Sequence, residues 1–296
     1  MKIILTGASG FLGKYISAYF SKDEVITIGR NTGNILAHLE RDIPVLPKAD
    51  LVVHAAGKAH IVPRTAEEAA DFYSVNVVGT RNLLAALKNA PGLPEAFVFI
   101  SSVAVYGLES GIMITEDTPL LAADPYGLSK IEAEKLVTDW CVSNSVPFTI
   151  LRLPLIAGVK PPGNLKTMID GIKRGFYVNI AGGKAKKSIV LAESVPPILL
   201  VAAQTGGIYN LTDGYHPSFA ELSELMAVQL RKNRPISIPG LIAQSMAKAG
   251  DIIGEKSPLN TKKYKKMIND LTFDDSKARK LINWAPLKVL QHFKIK

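Results

Sequence analysis

The stretch TGASGFLGKYI, residues 6–16, places Gly7, Gly10 and Gly13 three residues apart, directly after the apolar run KIILTG at 2–7. A tight turn from a strand into a helix needs glycine for positive φ and for the close approach of a pyrophosphate. The N–H groups and the partial positive charge at the helix N-terminus favour such an anion. This spacing, in this place, predicts a dinucleotide-binding turn.

Outside this turn, short apolar strands alternate with helical patterns. Strands are predicted at 25–29, 50–57, 96–102, 148–154, 186–194 and 207–212, and helices at 13–21, 66–90, 218–232 and 240–253. This alternation is typical of βαβ units and of a parallel sheet covered on both faces. We therefore predict an α/β fold with a Rossmann-type, doubly wound parallel sheet over 1–155. Residues 156–296 are predicted to form mainly a smaller C-terminal substrate-binding lobe, with short returns to the sheet around 188–212.

The end of the second predicted strand bears on the choice of cofactor. Folds that prefer NAD usually carry an acidic residue there, which accepts hydrogen bonds from the ribose hydroxyls. This strand ends in Gly29 and Arg30. A guanidinium binds a 2′-phosphate well, so the sequence favours NADP(H), with NAD(H) as the alternative. Arg30 could instead stack on the adenine or face solvent.

Composition and charge narrow the class of protein. With 47% hydrophobic and 21% charged residues the chain is globular, and the single cysteine, Cys141, favours a reducing compartment. Counted along the sequence, residues 1–150 carry a balance of −4 and residues 151–296 a balance of +13. The basic cluster TKKYKK (261–266) is predicted to be a solvated face or, failing that, a membrane or partner contact. We expect a cytoplasmic protein without a membrane span, a bound metal or a nucleic-acid partner.

The segment DPYGLSK (124–130) places Tyr126 and Lys130 four residues apart, on one face of a predicted helix. Taken alone, the pair fits a solvated helix surface. A tyrosine titrates near 10, so it acts as a base at neutral pH only with cationic help. A lysine one turn away supplies that help, which makes the pair a candidate proton-transfer unit.

Several motifs together resemble the extended short-chain dehydrogenase/reductase family, which contains the nucleotide-sugar 4-epimerases and 4-keto reductases. The motifs are TGASGFLG (6–13), HAAG (54–57), NVVGTRNLL (76–84), ISSVAVYG (100–107), YGLSK (126–130) and DDSKARKLINWAP (274–286). The last is similar to a C-terminal signature of the family, with Asn283 in place of glycine. The ordered set covers nearly the whole chain.

The resemblance implies catalytic roles for Ser102, Tyr126 and Lys130. Ser102 would hydrogen-bond the sugar oxygen that is oxidised or reduced, with Ser101 as a weaker candidate. Tyr126 would pass a proton to or from that oxygen, and Lys130 would bind the nicotinamide ribose. Further implied cofactor positions are Ser9, Phe11 and Leu12 in the turn, Ala55, Ala56 and Gly57 on the adenosine side, and Leu153 and Pro154 beside the nicotinamide.

The resemblance also implies substrate positions. The segment GNLKTM (163–168) is similar to a uridine-pocket segment of the family, with Asn164 and Leu165 as candidates. Lys186 and Lys187 stand where the family carries a diphosphate-binding arginine; solvated lysines are the alternative. The histidines show no metal-ligand spacing; His54 is predicted at a strand end, His216 in a loop and His60 near the substrate mouth.

The favoured function is NADPH-dependent 4-keto reduction of a UDP-6-deoxy-N-acetylhexosulose for surface polysaccharide synthesis. One alternative is a 4-epimerase for UDP-glucose or UDP-N-acetylglucosamine with bound NAD. Another is a non-catalytic NADP-binding protein of the same fold. A homodimer through helices 66–90 and 126–142 is a further prediction.

Overall fold

The computed structural model describes residues 1–59, 63–254, 257 and 259–295. Seven strands in the described residues form the central sheet, and six more form three small pairs. In chain order the strands are β1 (Lys2–Thr6), β2 (Glu24–Gly29), β3 (Ile35–Leu36), β4 (Leu51–His54), β5 (Ala96–Ser102), β6 (Gly111–Ile114), β7 (Phe148–Leu153), β8 (Leu155–Ala157), β9 (Asn179–Ile180), β10 (Ile189–Leu191), β11 (Gly207–Asn210), β12 (Ser237–Ile238) and β13 (Leu271–Phe273).

Helices surround this sheet and build the C-terminal lobe. They are α1 (Phe11–Tyr19), α2 (Ala66–Tyr73), α3 (Gly79–Lys88), α4 (Pro125–Ser143), α5 (Gly163–Arg174), α6 (Leu199–Thr205), α7 (Phe219–Gln229), α8 (Gly240–Ile253), α9 (Thr261–Ile268), α10 (Ser276–Ile282) and α11 (Val289–His292). No helix within the described ranges is long and apolar enough to cross a membrane.

The central sheet runs in the order β11-β7-β5-β4-β1-β2-β3, and every neighbouring pair is parallel. The order reverses direction between β1 and β4, which is the switch point where doubly wound sheets bind ligands at their carboxyl ends. Thr6 and His54 end these two strands side by side. The predicted Rossmann-type α/β fold is confirmed.

Both faces of the sheet are buried, because its strands are apolar almost throughout. On β1, Ile3 and Leu5 belong to one core cluster, and Ile4 belongs to the cluster on the opposite face. The first cluster includes residues of α1, α6 and α10, and the second includes residues of α3 and α4. Continuous apolar strands covered by helices on both sides are the pattern expected of a parallel sheet.

The C-terminal half is a lobe with its own core, although parts of it return to the sheet. Two small parallel pairs, β8 with β10 and β9 with β12, lie within this half. Strand β11 instead extends the central sheet beside β7. The third pair joins β13 to β6, so the C-terminal half also contacts the segment that follows β5.

Several predicted boundaries differ from the structure. The helix predicted at 66–90 is divided into α2 and α3 by a π-helical turn, Ser74–Val78, whose wider hydrogen bonding accommodates one extra residue. Helix α1 begins at Phe11 rather than 13, directly after Gly10. The strand predicted at 50–57 ends at His54. Of the residues predicted as a strand at 186–194, only those of β10, Ile189–Leu191, form one. Asn283 has φ of 55°, a left-handed conformation that asparagine tolerates in place of glycine.

Candidate active site

The glycine turn brings the end of β1 against the residues that follow β4. A Cβ on Gly7, whose φ is 73°, would lie 2.6 Å from the backbone of Ala55 and Ala56. A Cβ on Gly13 would lie 2.0 Å from the carbonyl oxygen of Gly7. These contacts leave no room for a side chain, so glycine is required at both positions. The turn is as tight as the sequence predicts.

The N-terminus of α1 presents N–H groups suited to a pyrophosphate. No side chain from the described residues caps Gly10, the N-cap residue. The Phe11 and Leu12 N–H groups belong to the first helical turn, which has no intrahelical acceptor for them. Ser9 is exposed beside them, and the Leu12 side chain is buried in the core. The residues present therefore fit the phosphates of a dinucleotide through backbone donors.

Arg30, predicted to lie beside the adenosine ribose, follows β2 and is half exposed. Its Nε lies 3.3 Å from Oε1 of Glu40, a mostly buried carboxylate. His38 Nδ1 lies 3.6 Å from the same oxygen. Glu40 was not predicted from the sequence, because it reaches Arg30 from a loop ten residues further along the chain. The predicted phosphate-binding arginine thus has an acidic neighbour.

The structure brings the three predicted catalytic residues together. Ser102 ends β5, and its hydroxyl interacts with the Tyr126 phenol closely enough to lower the pKa of that phenol. Tyr126 lies in the first turn of α4, where Asp124 caps the helix by accepting from the Gly127 N–H. Lys130 follows one turn later, so the helix start fixes both side chains relative to the strand end.

Burial controls the protonation of this cluster. It raises the pKa of Tyr126, an effect that the Ser102 hydrogen bond opposes and the Asp124 charge reinforces. Burial lowers the pKa of Lys130 to about 8, although the Glu134 carboxylate raises it. The Lys130 ammonium donates to the Ile100 carbonyl oxygen at 2.8 Å. At neutral pH the cluster therefore holds a neutral phenol near a protonated lysine.

Asn76 holds the adjacent loop and was not singled out from the sequence. Its Oδ1 accepts from the Lys58 N–H at 2.7 Å, and its Nδ2 donates to the Lys58 carbonyl at 3.1 Å and to the Ser129 hydroxyl at 2.8 Å. These bonds place Gly57 against the site, where an added Cβ would lie 3.6 Å from Lys130 Nζ. A polar residue inside the apolar pattern of 72–84 was the available signal.

A buried ion pair lies behind the cluster. Arg152 on β7 and Glu134 on α4 form two hydrogen bonds, of 2.8 and 3.1 Å, and both side chains are nearly inaccessible. Ser101 donates to Glu134 at 2.5 Å, and Arg152 donates to the Tyr106 hydroxyl at 3.1 Å. The pair therefore joins α4, β5 and β7. A charged residue within the apolar strand FTILRLP was the sequence signal for it.

The segment after β5 rests on the C-terminal half of the chain. Tyr106 is fully buried, and its ring stacks on Phe273 of β13 with 5.5 Å between ring centroids. Its hydroxyl donates to Oδ1 of Asn210, the last residue of β11, at 2.8 Å. The backbone N–H of Met113 donates to the Thr272 hydroxyl at 2.9 Å. These contacts support the stretch that begins at Ser102.

The predicted substrate residues lie in the C-terminal lobe. Asn164 is exposed at the start of α5, a helix whose N-cap has no side-chain cap among the described residues, whereas the Leu165 side chain is buried in the lobe core. Lys186 is exposed. Lys187 is buried and donates to the Asn269 carbonyl at 2.9 Å, so it is a structural residue rather than a solvated one.

The positions predicted to lie beside the nicotinamide are Leu153, the last residue of β7, and Pro154, which follows it. Leu153 is buried in the main core and Pro154 is partly buried. Both immediately precede β8, so they lie where the sheet meets the lobe.

His54 and His216 are buried and hydrogen-bonded to neighbouring side chains. His54 bonds the hydroxyls of Thr6 at 2.6 Å and Thr80 at 2.9 Å, and burial, assisted by the Lys130 charge, lowers its pKa to about 3. His216 lies in a loop and bonds the Ser188 hydroxyl at 2.9 Å. Both predictions are confirmed. His60, predicted near the substrate mouth, lies outside the described residues.

Comparison with known proteins identifies the family. A model of the NAD dependent epimerase/dehydratase family matches residues 3–211. The chain belongs to this family. Among its relatives, GDP-6-deoxy-D-mannose reductase of Pseudomonas aeruginosa is 29% identical over 247 residues, which cover 76% of this chain and 79% of that protein. UDP-glucose 4-epimerase of Vibrio cholerae is 26% identical over 319 residues, covering 98% and 92%.

The solved structures agree on the fold. The structure of RMD from Pseudomonas aeruginosa complexed with NADPH matches with a TM-score of 0.71 at 21% identity, covering 99% of this chain and 96% of that one. As a member of the NAD dependent epimerase/dehydratase family, the chain is an NAD(P)-dependent enzyme of the short-chain dehydrogenase/reductase type. The predicted family and cofactor class are confirmed.

Proposed function

We propose that this enzyme is a nucleotide-sugar reductase that uses NADPH to reduce the 4-keto group of a UDP-6-deoxy-N-acetylhexosulose for surface polysaccharide synthesis. The cluster of Ser102, Tyr126 and Lys130 carries the proposal. A phenol with a raised pKa is a proton donor at neutral pH, and ketone reduction needs a donor at the developing alkoxide.

Each residue of the cluster has a defined task in this reaction. The Ser102 hydroxyl donates a hydrogen bond to the keto oxygen and orients it toward Tyr126. Tyr126 transfers its proton to that oxygen as negative charge develops. The Lys130 ammonium stabilises the resulting phenolate, because an adjacent cation favours the charged form. The nicotinamide, when bound, supplies the hydride.

The residues beyond β2 support NADPH as the reductant. Arg30 is half exposed at the position expected to face the ribose, and a guanidinium pairs with a phosphate through two parallel hydrogen bonds. The Glu40 carboxylate opposes a second negative charge at this place. In the cofactor-free protein Arg30 neutralises the Glu40 carboxylate. We propose that the 2′-phosphate of NADPH displaces Glu40 from Arg30 on binding.

Charge in the C-terminal half supports a nucleotide diphosphate sugar as the substrate. Residues 151–296 carry a balance of +13. The N-terminus of α5, with Asn164 and the Leu165 N–H, offers backbone donors for a uracil ring or a phosphate. Lys186 is exposed within the same lobe and would neutralise the diphosphate. Curated relatives include enzymes named for UDP-sugars and a GDP-sugar.

A 4-epimerase with bound NAD is the second candidate, and Glu40 favours it. An epimerase returns the hydride it takes, so it needs no phosphate-specific exchange of cofactor. A carboxylate near the ribose disfavours NADP and is compatible with NAD. In this case the same phenol would take and return the proton.

We also propose a cytoplasmic homodimer. Helices α2 and α4 pack side by side, and both carry exposed apolar residues, namely Tyr73, Leu128 and Val142. A pair of such helices from each copy would form a four-helix contact. Light scattering of the wild type and of a Leu128→Glu variant tests it, with a monomeric variant expected.

Two measurements test the reaction. The first identifies the nucleotide released on denaturing the purified protein, and the second follows NADPH oxidation with a UDP-4-keto-6-deoxy-N-acetylhexose. The proposal expects little retained NAD and consumption of NADPH. Tightly held NAD with interconversion of UDP-sugars and no NADPH consumption would establish the epimerase instead.

The Tyr126→Phe variant tests the proton donor. We expect kcat to fall by about 10²–10⁴-fold, the usual contribution of a positioned acid, with the Kd for NADP(H) unchanged. Tyr19→Phe, at an exposed tyrosine on α1, is the matched control and should retain wild-type kcat. Undiminished turnover in Tyr126→Phe would contradict this role. Cofactor binding without turnover in the wild type, on all UDP-sugars tested, would favour the non-catalytic alternative.

A further inference from the structure

Helix α8 exposes an apolar stripe to solvent. The helix packs on the lobe through a narrow seam of small residues, Ala243, Ala247 and Gly250. On the adjoining outer face lie Ile242, Met246 and Ile253, at helical spacings of four and seven. Their exposed fractions are 55%, 48% and 64%.

Two more apolar residues increase the exposed area of this helix. Leu241 and Ile252 are 81% and 91% exposed. Isolated exposed apolar residues are ordinary on protein surfaces, but five on one fourteen-residue helix form a patch that signals an interaction.

The helix next to the stripe is basic. Helices α8 and α9 run antiparallel, because Thr261 bonds Asp251 at 2.8 and 2.6 Å and the Tyr264 hydroxyl donates to the Gly240 carbonyl at 3.3 Å. Exposed lysines on α9 are Lys262, Lys265 and Lys266.

Charge is concentrated in this part of the sequence. Residues 231–268 contain nine Lys+Arg and two Asp+Glu, a balance of +7 within a total of +9 for the chain. Arg231, Lys232 and Arg234 precede α8 and are exposed. The apolar stripe is therefore flanked on both sides along the chain by cations.

We propose that this α8–α9 surface, formed by the exposed residues of 240–253 and 261–268, binds the surface of an anionic lipid bilayer. The isoleucine, leucine and methionine side chains enter the boundary between headgroups and acyl chains. Lys262 and Lys265 of α9 meet the negative headgroups, whereas Lys266 pairs with Glu109 at 3.3 Å. A surface-lying amphipathic helix flanked by basic residues binds membranes through these two contributions.

A lipid surface fits these residues better than a protein partner does. The buried centre of a protein interface is depleted of charge, and lysine is depleted in particular. Here the exposed lysines lie on α9, the helix packed beside α8, and basic residues accompany the apolar face of helices that lie in the plane of a membrane. The surface shares no residue with the Ser102, Tyr126 and Lys130 cluster, so the inference is independent of the reaction proposed above.

Co-sedimentation of the full-length protein with vesicles tests this inference. Vesicles of phosphatidylglycerol and phosphatidylethanolamine provide an anionic surface, and vesicles of phosphatidylcholine a neutral one. Binding is expected to the anionic vesicles and to weaken with added salt. Two double variants are expected to bind at least about tenfold more weakly, namely Ile242→Ser/Ile253→Ser and Lys262→Glu/Lys265→Glu. The first loses apolar side chains that enter the boundary between headgroups and acyl chains. The second loses two lysines, each of which contributes roughly fivefold near such a surface.

Matched controls separate this surface from general hydrophobicity and net charge. Val45→Ser removes a 93% exposed apolar residue elsewhere, and Lys22→Glu/Lys88→Glu changes the net charge by the same amount in the first half of the chain. Both should bind vesicles like the wild type, and all variants should keep its melting temperature. The proposal is overturned if the wild type ignores anionic vesicles at low salt, or if the α8 and α9 variants bind them undiminished. It is also overturned if the isoleucine variant loses self-association while keeping vesicle binding, which would identify a protein interface.

Discussion

Replacing Lys130 by methionine should stabilise the cofactor-free protein at neutral pH while abolishing turnover. Burial lowers the pKa of Lys130 from 10.5 to about 8, and the Glu134 carboxylate offsets only part of this effect. At about 1.4 kcal/mol per pKa unit, the protonated lysine lowers the free energy of unfolding by about 3 kcal/mol at pH 7. Methionine keeps the apolar stem without the charge. The cation that we propose assists Tyr126 thus lowers the stability of the cofactor-free protein.

The effect of Lys130 on the free energy of unfolding depends on pH. Below pH 8 Lys130 is protonated in the folded and the unfolded chain, so its whole unfavourable contribution is present. Between about 8 and 10.5 the unfolded chain binds more protons than the folded one, and the stability of the wild type therefore rises with pH. Above 10.5 the lysine is neutral in both states. The difference in unfolding free energy between Lys130→Met and the wild type should shrink from about 3 kcal/mol toward zero over this range.

Urea unfolding of both proteins without cofactor, at pH 7, 8, 9, 10 and 11, measures this difference. Any constant change in packing shifts the difference equally at every pH and leaves its slope intact. Lys135→Met, at an exposed lysine of the same helix, is the control and should differ from the wild type by a small, pH-independent amount. A difference between Lys130→Met and the wild type that stays constant from pH 7 to pH 11 would refute the reasoning.

Three further outcomes are expected. Glu134→Gln leaves the Arg152 charge buried and unpaired, so the free energy of unfolding measured with urea should fall by about 3–5 kcal/mol. Adding Arg152→Met should largely recover this loss. An unchanged midpoint for the single variant would contradict the prediction. Gly13→Ala places a Cβ 2.0 Å from the Gly7 carbonyl oxygen, so calorimetry should detect no NAD(P)H binding, whereas wild-type affinity would show that the turn yields. Arg30→Ser should raise the Kd for NADPH by about tenfold or more and leave that for NADH within about twofold, and equal losses for both would assign Arg30 to the adenine.

The conformation of the glycine turn and the placement of Tyr126 and Lys130 on one helix could be predicted from the sequence, because both are local. Gly7, Gly10 and Gly13 lie within one turn and the start of one helix, and Tyr126 and Lys130 lie one helical turn apart. Local spacing translates directly into local structure. The parallel sheet covered on both faces could also be predicted, because strands that alternate with helices form βαβ units.

Contacts between distant segments could not be derived in this way. Glu40 reaches Arg30 through a loop without regular periodicity, so no pattern indicated that the predicted phosphate-binding residue has an acidic partner. Asn76 and the Glu134–Arg152 pair were signalled only as polar residues within apolar patterns. Such residues must find partners when buried, but the sequence does not say which ones.

Strand β13 pairs with β6 across more than 150 residues of sequence, and this has a consequence for the order of assembly. The glycine turn that we propose binds the dinucleotide can form once Ala55 and Ala56, just after β4, have been synthesised, because Gly7 packs against them. The segment that contains Tyr106 is supported only after Phe273 has been synthesised, because the two rings stack. Chains are synthesised from the N-terminus, and their early parts fold first. In a growing or truncated chain, the glycine turn is therefore expected to form before the segment that follows Ser102 is supported. Cofactor binding would then precede turnover.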